Sequence, residues 1–205
     1  LQAMMVALFI GVPLGLLAGL RQNTATDYTA MGVAMIGVSI PNFVLGPLLI
    51  AVFASALGWF RSGGWLGWYD SLLPSFSLGL YYTAYVARLT RSGMLEVVRQ
   101  DYIRTARAKG LAEWLVVTRH ALRGALLPVV SYLGPAFASV LTGSVVIEKV
   151  FNVPGLGTFF VDAAFNRDYF LVLGVITVYS ALLVLLNLAV DMLYSLLDPR
   201  VRAGE

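Results

Sequence analysis

The chain has 205 residues, of which 59% are hydrophobic and 12% charged, with a formal net charge of +3 and a mean hydropathy of +0.82. Soluble domains carry about 25% charged residues, so a soluble fold of this length has too little polar surface to cover itself, and a bilayer is the solvent that fits. No cysteine is present, which excludes thiolate metal sites and disulfides. The isoelectric point near 9.3 does not point to nucleic acid, because the basic residues sit at the ends of apolar runs, where membrane topology explains them.

Residues 1–20 predict a first, uncharged span. Pro13 would kink it, and Gly11, Gly15 and Gly19 form a small-residue face of the kind that packs helices in lipid. The chain opens at Leu1, inside this run and without a basic n-region. The expectation is a fragment lacking an N-terminal portion, not a signal peptide. Residues 21–30 predict a short polar connection. Residues 31–57 predict a second span, broken at Pro41 and Pro47. Such a break is tolerated where neighbours or a water-filled cavity satisfy the freed carbonyls, so Pro41 and Asn42 are either a structural kink or part of a pathway. Trp59, Trp65 and Trp68, with Phe60 and Tyr69, predict an interfacial aromatic belt, with ligand stacking as the alternative.

A third span is predicted over 72–91. Tyr81 and Tyr85 share its face at i, i+4, to line a path or to hydrogen-bond a neighbouring helix. A fourth is predicted over 125–147, with Ser131, Pro135, Ser139 and Thr142 in a small, polar stripe that faces protein or a pore. Residues 148–168 predict a second loop, turning at Pro154-Gly155. The last span, 169–194, places Asn187, Asp191, Tyr194 and Asp198 on one face.

Five spans put the connection at 21–30, the stretch 88–124 and the tail on one side, with eleven positive charges. The other side carries Arg61, Lys149 and Arg167. The positive-inside rule then predicts a cytoplasmic C-terminus and a cytoplasmic loop over 92–124. In that loop Leu95–Lys109 reads as one helix, Gly110 as its C′ stop, and Ala112–Leu127 as a second helix running to Pro128. Ala106 and Ala108 are expected to keep its surface low near the turn, ringed by Arg104, Arg107 and Lys109. Charge alone leaves a bland reading open, a loop resting on anionic headgroups.

The run Arg104-Thr105-Ala106-Arg107-Ala108-Lys109-Gly110, closed by Leu127-Pro128, resembles the EAA loop of ABC importer permeases. Arg104-Thr105 replaces the usual Glu-Ala, and the gap from Gly110 to Pro128 is longer than in sugar-type permeases. Both features are similar to the dipeptide/oligopeptide/nickel branch, as are GSVVIEKVFNVPGLG, Arg167-Asp168-Tyr169 and DMLYSLLDPRVR, which resemble its B-type subunit. The resemblance implies an all-α, polytopic permease of the type I importer (MetI-like) fold as a single transmembrane domain over 1–205. Five spans would be present here and six in the intact chain. It implies a multi-pass protein of a bacterial or archaeal inner membrane. A second, homologous permease would complete a heterodimer. Cytoplasmic ATPases would bind ATP and Mg, and an extracytoplasmic solute-binding protein would deliver peptides or similar solutes. No cofactor is implied for this chain itself. Tyr102, Arg104, Thr105, Ala106, Arg107, Ala108, Lys109, Gly110 and Leu111 would form the coupling helix seated on an ATPase. Pro41, Asn42, Tyr85, Ser131, Ser139 and Thr142 are expected along the path.

No enzyme is predicted. His120 is the only histidine, and HExxH, GxSG and the phosphate-loop pattern GxxxxGK[ST] are absent. The alternative function is an ion-coupled secondary transporter, which needs carboxylates near the bilayer midplane. Asp191 is its only candidate.

Overall fold

The computed structural model describes residues 1–197. At Ala138, 141–144, Val190, Asp191 and 193–197 it describes the backbone alone. Asp198 and the basic tail with Arg200 and Arg202 lie outside the described residues, as do the side chains of Thr142, Asp191 and Tyr194. Every regular element among the described residues is helical. They are α1 (Gln2–Leu20), α2 (Ala25–Ser39), α3 (Asn42–Leu49) with a π-helical continuation Ile50–Ala56, α4 (Leu72–Val97), α5 (Asp101–Ala108) and α6 (Glu113–Leu115). A π-helical stretch Val116–Ala121 follows, then α7 (Leu122–Ala125), α8 (Leu127–Val150), α9 (Leu156–Phe165) and α10 (Tyr169–Leu197). Helix thus occupies each of the five stretches predicted as spans. By length and composition α1 and α10 can each cross a bilayer alone, and α2 with the helical segment after Pro41 can do so as one broken span.

Several boundaries differ from the sequence reading, for local reasons. The connection after α1 is shorter than 21–30, because α2 already starts at Ala25. Thr24 caps it, accepting a hydrogen bond from the Asp27 N–H, and Asn23 turns the chain with a φ of +61°. α2 ends where Pro41 disfavours helical backbone in the residue before it, and Ile40 is extended. α4 runs to Val97, past the expected end at Arg91. Residues 95–109 are not one helix, since the chain turns at Val98–Gln100 and restarts as α5. The loop 148–168 contains α9, an apolar run freed to coil once Pro154-Gly155 has turned the chain.

The chain forms two compact units, Leu1–Ile40 with Gly79–Tyr132, and Pro41–Leu78 with Leu133–Glu205. In the first unit α1 lies parallel to α4. A Cβ on Gly15 would sit 2.3 Å from the Ala87 carbonyl oxygen, and one on Gly19 would sit 2.6 Å from the Met94 Cβ. Only hydrogen fits at those positions, so the glycine face of α1 is what admits α4. α2 runs antiparallel to α4, with Gly37 pressed on Leu80 at one end and Asp27 on Arg91 at the other.

In the second unit the aromatic loop is held by its own side chains. Phe60 stacks on Tyr69 at 5.0 Å between ring centroids, and the Tyr69 hydroxyl donates to the Trp59 carbonyl at 3.1 Å. The Asp70 carboxylate accepts from the Leu66 and Gly67 N–H groups, while Trp59 and Trp68 stay exposed. The Gly64 N–H reaches the Phe151 carbonyl at 2.9 Å, which brings the two loops of this unit together. The Glu148 carboxylate accepts from the Gly157 N–H at 2.7 Å, and Asp168 caps α10 through the Leu171 N–H.

Candidate functional site

The segment 92–128 is a folded helical hairpin with a core of its own. Ile103 and Ala106, at i, i+3, mark the inner face of α5. They pack with Met94 and Val97 from α4, with Val116, Val117 and Ala121, and with Ala125 from α7. A π-helix has a longer repeat than an α-helix, so Val116 and Ala121, five apart, fall on one side and both face inward. Gly93 admits the crossing of α4 and α7, since a Cβ there would lie 2.2 Å from the Ala125 carbonyl oxygen.

This core corrects one expectation. Ala106 is 6% exposed and Ile103 is fully buried, so Ala106 belongs to the interior of the hairpin and not to its docking surface. The rim is formed by Tyr102, Arg104, Thr105, Arg107, Ala108, Lys109, Gly110 and Leu111, all exposed.

Gly110 stops α5 by a full Schellman closure. Its own N–H donates to the Arg107 carbonyl at 2.9 Å, and the Leu111 N–H donates to the Ala106 carbonyl at 3.4 Å. The geometry needs a left-handed residue at C′, and Gly110 has a φ of +74°. Across this turn Arg107 holds Glu113 with two hydrogen bonds of 3.1 and 2.6 Å. That bonding keeps the Glu113 carboxyl below its ordinary titration range and raises the Arg107 guanidinium. Arg104 pairs more loosely with Asp101 at 3.4 Å. The second arm is not one helix over 112–127. It is α6, the π-helical stretch and α7, joined to α8 at Leu126, where Pro128 has no N–H to offer the preceding turn.

Three features went unmentioned in the sequence reading. Trp114 stands 67% exposed beside the rim, and a tryptophan inside a polar run was the available signal. Glu113 closes the turn onto Arg107, and its place just beyond Gly110 was the signal there. The third is the base of the hairpin. Arg91 makes a two-pronged bond to the buried Asp27, and Arg99 donates to the Gln22 side-chain oxygen at 3.4 Å. The connection after α1 and the hairpin therefore lie at the same end of the first unit. No local pattern signalled these pairs.

The residues expected along a path fall in both units. Tyr85 stacks on Tyr132 with ring centroids 5.8 Å apart, and its hydroxyl lies 3.4 Å from that of Tyr81. Ser131 donates to the Leu127 carbonyl of its own helix. Pro41 precedes α3, Asn42 begins it with a buried Oδ1 that has no hydrogen-bond partner among the described residues, and Ser139 is exposed on α8. Among the described residues no group of three His, Cys, Asp or Glu side chains could hold a metal.

Compared with known proteins, residues 11–203 match the family described as binding-protein-dependent transport system inner membrane component. The oligopeptide transport system permease protein OppB of Salmonella typhimurium is 51% identical over 202 residues, which cover 98% of this chain and 66% of that protein. The dipeptide transport system permease protein DppB of Bacillus subtilis is 47% identical over 200 residues, covering 98% and 65%. The chain thus spans about two thirds of the length of these relatives. In fold it is similar to a chain of the MetNI methionine ABC transporter in inward-facing conformations. That likeness has a TM-score of 0.79 at 21% identity and covers 96% of this chain and 89% of the other.

Proposed function

The chain belongs to the family of binding-protein-dependent transport system inner membrane components, and on that premise we propose that it is a permease subunit of an ATP-driven importer of peptides. With a second permease it forms the path, a solute-binding protein delivers the peptide, and separate ATPase subunits hydrolyse ATP with Mg in the cytoplasm. The relatives OppB and DppB, named as oligopeptide and dipeptide permeases, support the cargo class. The excess of Lys and Arg on the side of residues 88–124 supports a cytoplasmic hairpin and C-terminus in an inner membrane.

The single observation that carries the mechanism is the packed core of the hairpin, which Leu16 of α1 also backs. A lever passes on force only if it does not bend. Ile103 and Ala106 fix α5 against 116–125, the Arg107–Glu113 bridge and the Schellman turn close the tip, and Arg91 ties the base to Asp27. The exposed rim, Tyr102 to Leu111 without Ile103 and Ala106, then offers cationic, aromatic and small side chains to an ATPase groove. Closure of the ATPases on ATP would press this rim and tilt α4 and α8, which continue from it.

The test is peptide uptake by the assembled transporter in vesicles. Uptake is expected to follow ATP and to survive an uncoupler. Uptake that survives ATP depletion and collapses with the uncoupler overturns the proposal and restores the ion-coupled alternative. No observation favours that alternative: among the described residues the buried carboxylate is Asp27, and Arg91 occupies it.

A further inference from the structure

One face of α4 combines features that neither lipid nor simple packing rewards. Tyr81, Tyr85, Arg88 and Ser92 follow one another at i, i+4, i+7 and i+11, and so fall in one narrow stripe along the helix. None of the four is buried. The tyrosine hydroxyls meet at 3.4 Å, and Tyr132 stacks on Tyr85 and stiffens it. Arg88 differs sharply from Arg91, one turn on. Arg91 is neutralised by Asp27, whereas Arg88 is exposed and makes no ion pair among the described residues. Its guanidinium donates instead to the Met35 sulfur at 3.1 Å, a weak acceptor. A guanidinium on a folded helix face without a carboxylate partner is available to pair with an anionic ligand.

α10 carries an exposed surface of the composition that suits lipid. Its exposed side chains include Phe170, Leu173, Ile176, Leu185 and Leu188, and no charge interrupts them. The α4 stripe is the opposite in composition, which fits a water-filled passage.

Resting on the importer reading above, we propose that Arg88, with the hydroxyls of Tyr81 and Tyr85, is a carboxylate station in the passage that transiently binds the carboxylate groups of a passing peptide. Arginine matches a carboxylate with two parallel N–H donors, and tyrosine hydroxyls donate to or accept from peptide amides without reading side chains. The station is weakly selective by construction, since every unblocked peptide brings a carboxylate.

The experiment uses the complete transporter in vesicles, with two tripeptides of nearly equal shape, Ala-Ala-Ala and its C-terminal amide, which differ only in the carboxylate. The readout is the ratio of their uptake rates, each variant being referred to the wild type so that the preference of the binding protein cancels. Arg88→Gln is expected to lower the acid/amide ratio about tenfold, the scale of one charge-assisted hydrogen bond. Arg88→Lys is expected to keep most of the ratio. Tyr85→Phe, which keeps the ring on Tyr132, is expected to slow both peptides alike. An unchanged ratio in Arg88→Gln, with wild-type uptake intact, overturns the station and leaves the importer standing. A wild-type complex that moves neither peptide on ATP overturns both. An Arg88→Gln effect that follows the anionic lipid content of the vesicle and not the peptide charge assigns the guanidinium to headgroup phosphates, and that too overturns the station.

Discussion

Asp27 and Arg91, 64 residues apart in the chain, meet through two hydrogen bonds of 2.7 Å, and the Asp27 side chain is 2% exposed. The same carboxylate also accepts the Asn23 N–H at 2.9 Å. One side chain therefore caps the start of α2, neutralises an arginine of α4 and fixes the base of the hairpin. Removing one partner of such a pair leaves an uncompensated charge. Asp27→Asn is expected to cost about 3 kcal/mol, at the low end because the Arg91 side chain is 28% exposed. Thermal unfolding in detergent checks it through a double-mutant cycle. Asp27→Asn with Arg91→Gln should be less damaging than the sum of the single variants, and strict additivity would sink the coupling.

Ala106 and Ala108 separate the interior of the hairpin from its rim. Ala106→Leu adds volume to a filled core and is expected to destabilise the hairpin by about 1–3 kcal/mol. Ala108→Leu is expected to stay within about 0.5 kcal/mol. Hydrogen exchange of the α5 amides reads both, and equal protection in the two variants would refute the assignment.

Gly110 has open space where a Cβ would point, so a substitution there meets backbone strain alone. Gly110→Ala is expected to cost about 1 kcal/mol, Gly110→Asn less and Gly110→Val more. The ranking is measurable by limited proteolysis at the turn, and a Val variant as resistant as the Asn variant would contradict it.

The tip of the hairpin carries a pH dependence of known sign. Arg107 holds the Glu113 carboxyl below its ordinary value. The stabilisation is therefore present above the unfolded-state value of a glutamate, about 4.3. It is lost as pH falls from there through the lowered value in the folded protein. The pair is largely exposed, so the effect is small and screened by salt. Arg107→Gln should flatten the acid limb of hairpin protection in low salt, and an unchanged limb would exclude the bridge as its source.

Trp114 stands exposed beside the rim and is outside the hairpin core described above. Trp114→Ala is expected to leave unfolding unchanged and to weaken ATP-coupled uptake by about tenfold or more, as loss of an exposed aromatic anchor does at an interface. Normal uptake with normal expression would place Trp114 outside the ATPase contact.

Much of this was legible locally. The stop at Gly110, the break before Pro41 and the glycine face of α1 each depend on a few neighbouring residues, and the structure follows them. The boundary at Ala25 rests on the local Thr24 cap and was legible in principle, whereas the end at Val97 and the split of 95–109 were not, because α4 packs on through Met94 and Val97 and a turn at 98–100 interrupts the next helix. Ala106 was misplaced for the same kind of reason. A small side chain at a helical position suits a low surface and a tight interior equally, and the partner decides.

By itself the sequence determined that this is a membrane protein of helices with one polar, basic hairpin, since hydropathy, charge placement and Gly/Pro punctuation are properties of short stretches. Its motifs carried the family as well. Only the tertiary structure decided which cations are spent on the fold and which are left to act. Arg91, Arg99, Arg88 and Lys109 look alike in the charge run, yet Asp27 occupies the first, Gln22 holds the second, and the last two remain without a carboxylate among the described residues. Those partners lie 64 and 77 residues away along the chain, a separation that no local pattern encodes and that the packing of α1 and α2 against α4 closes.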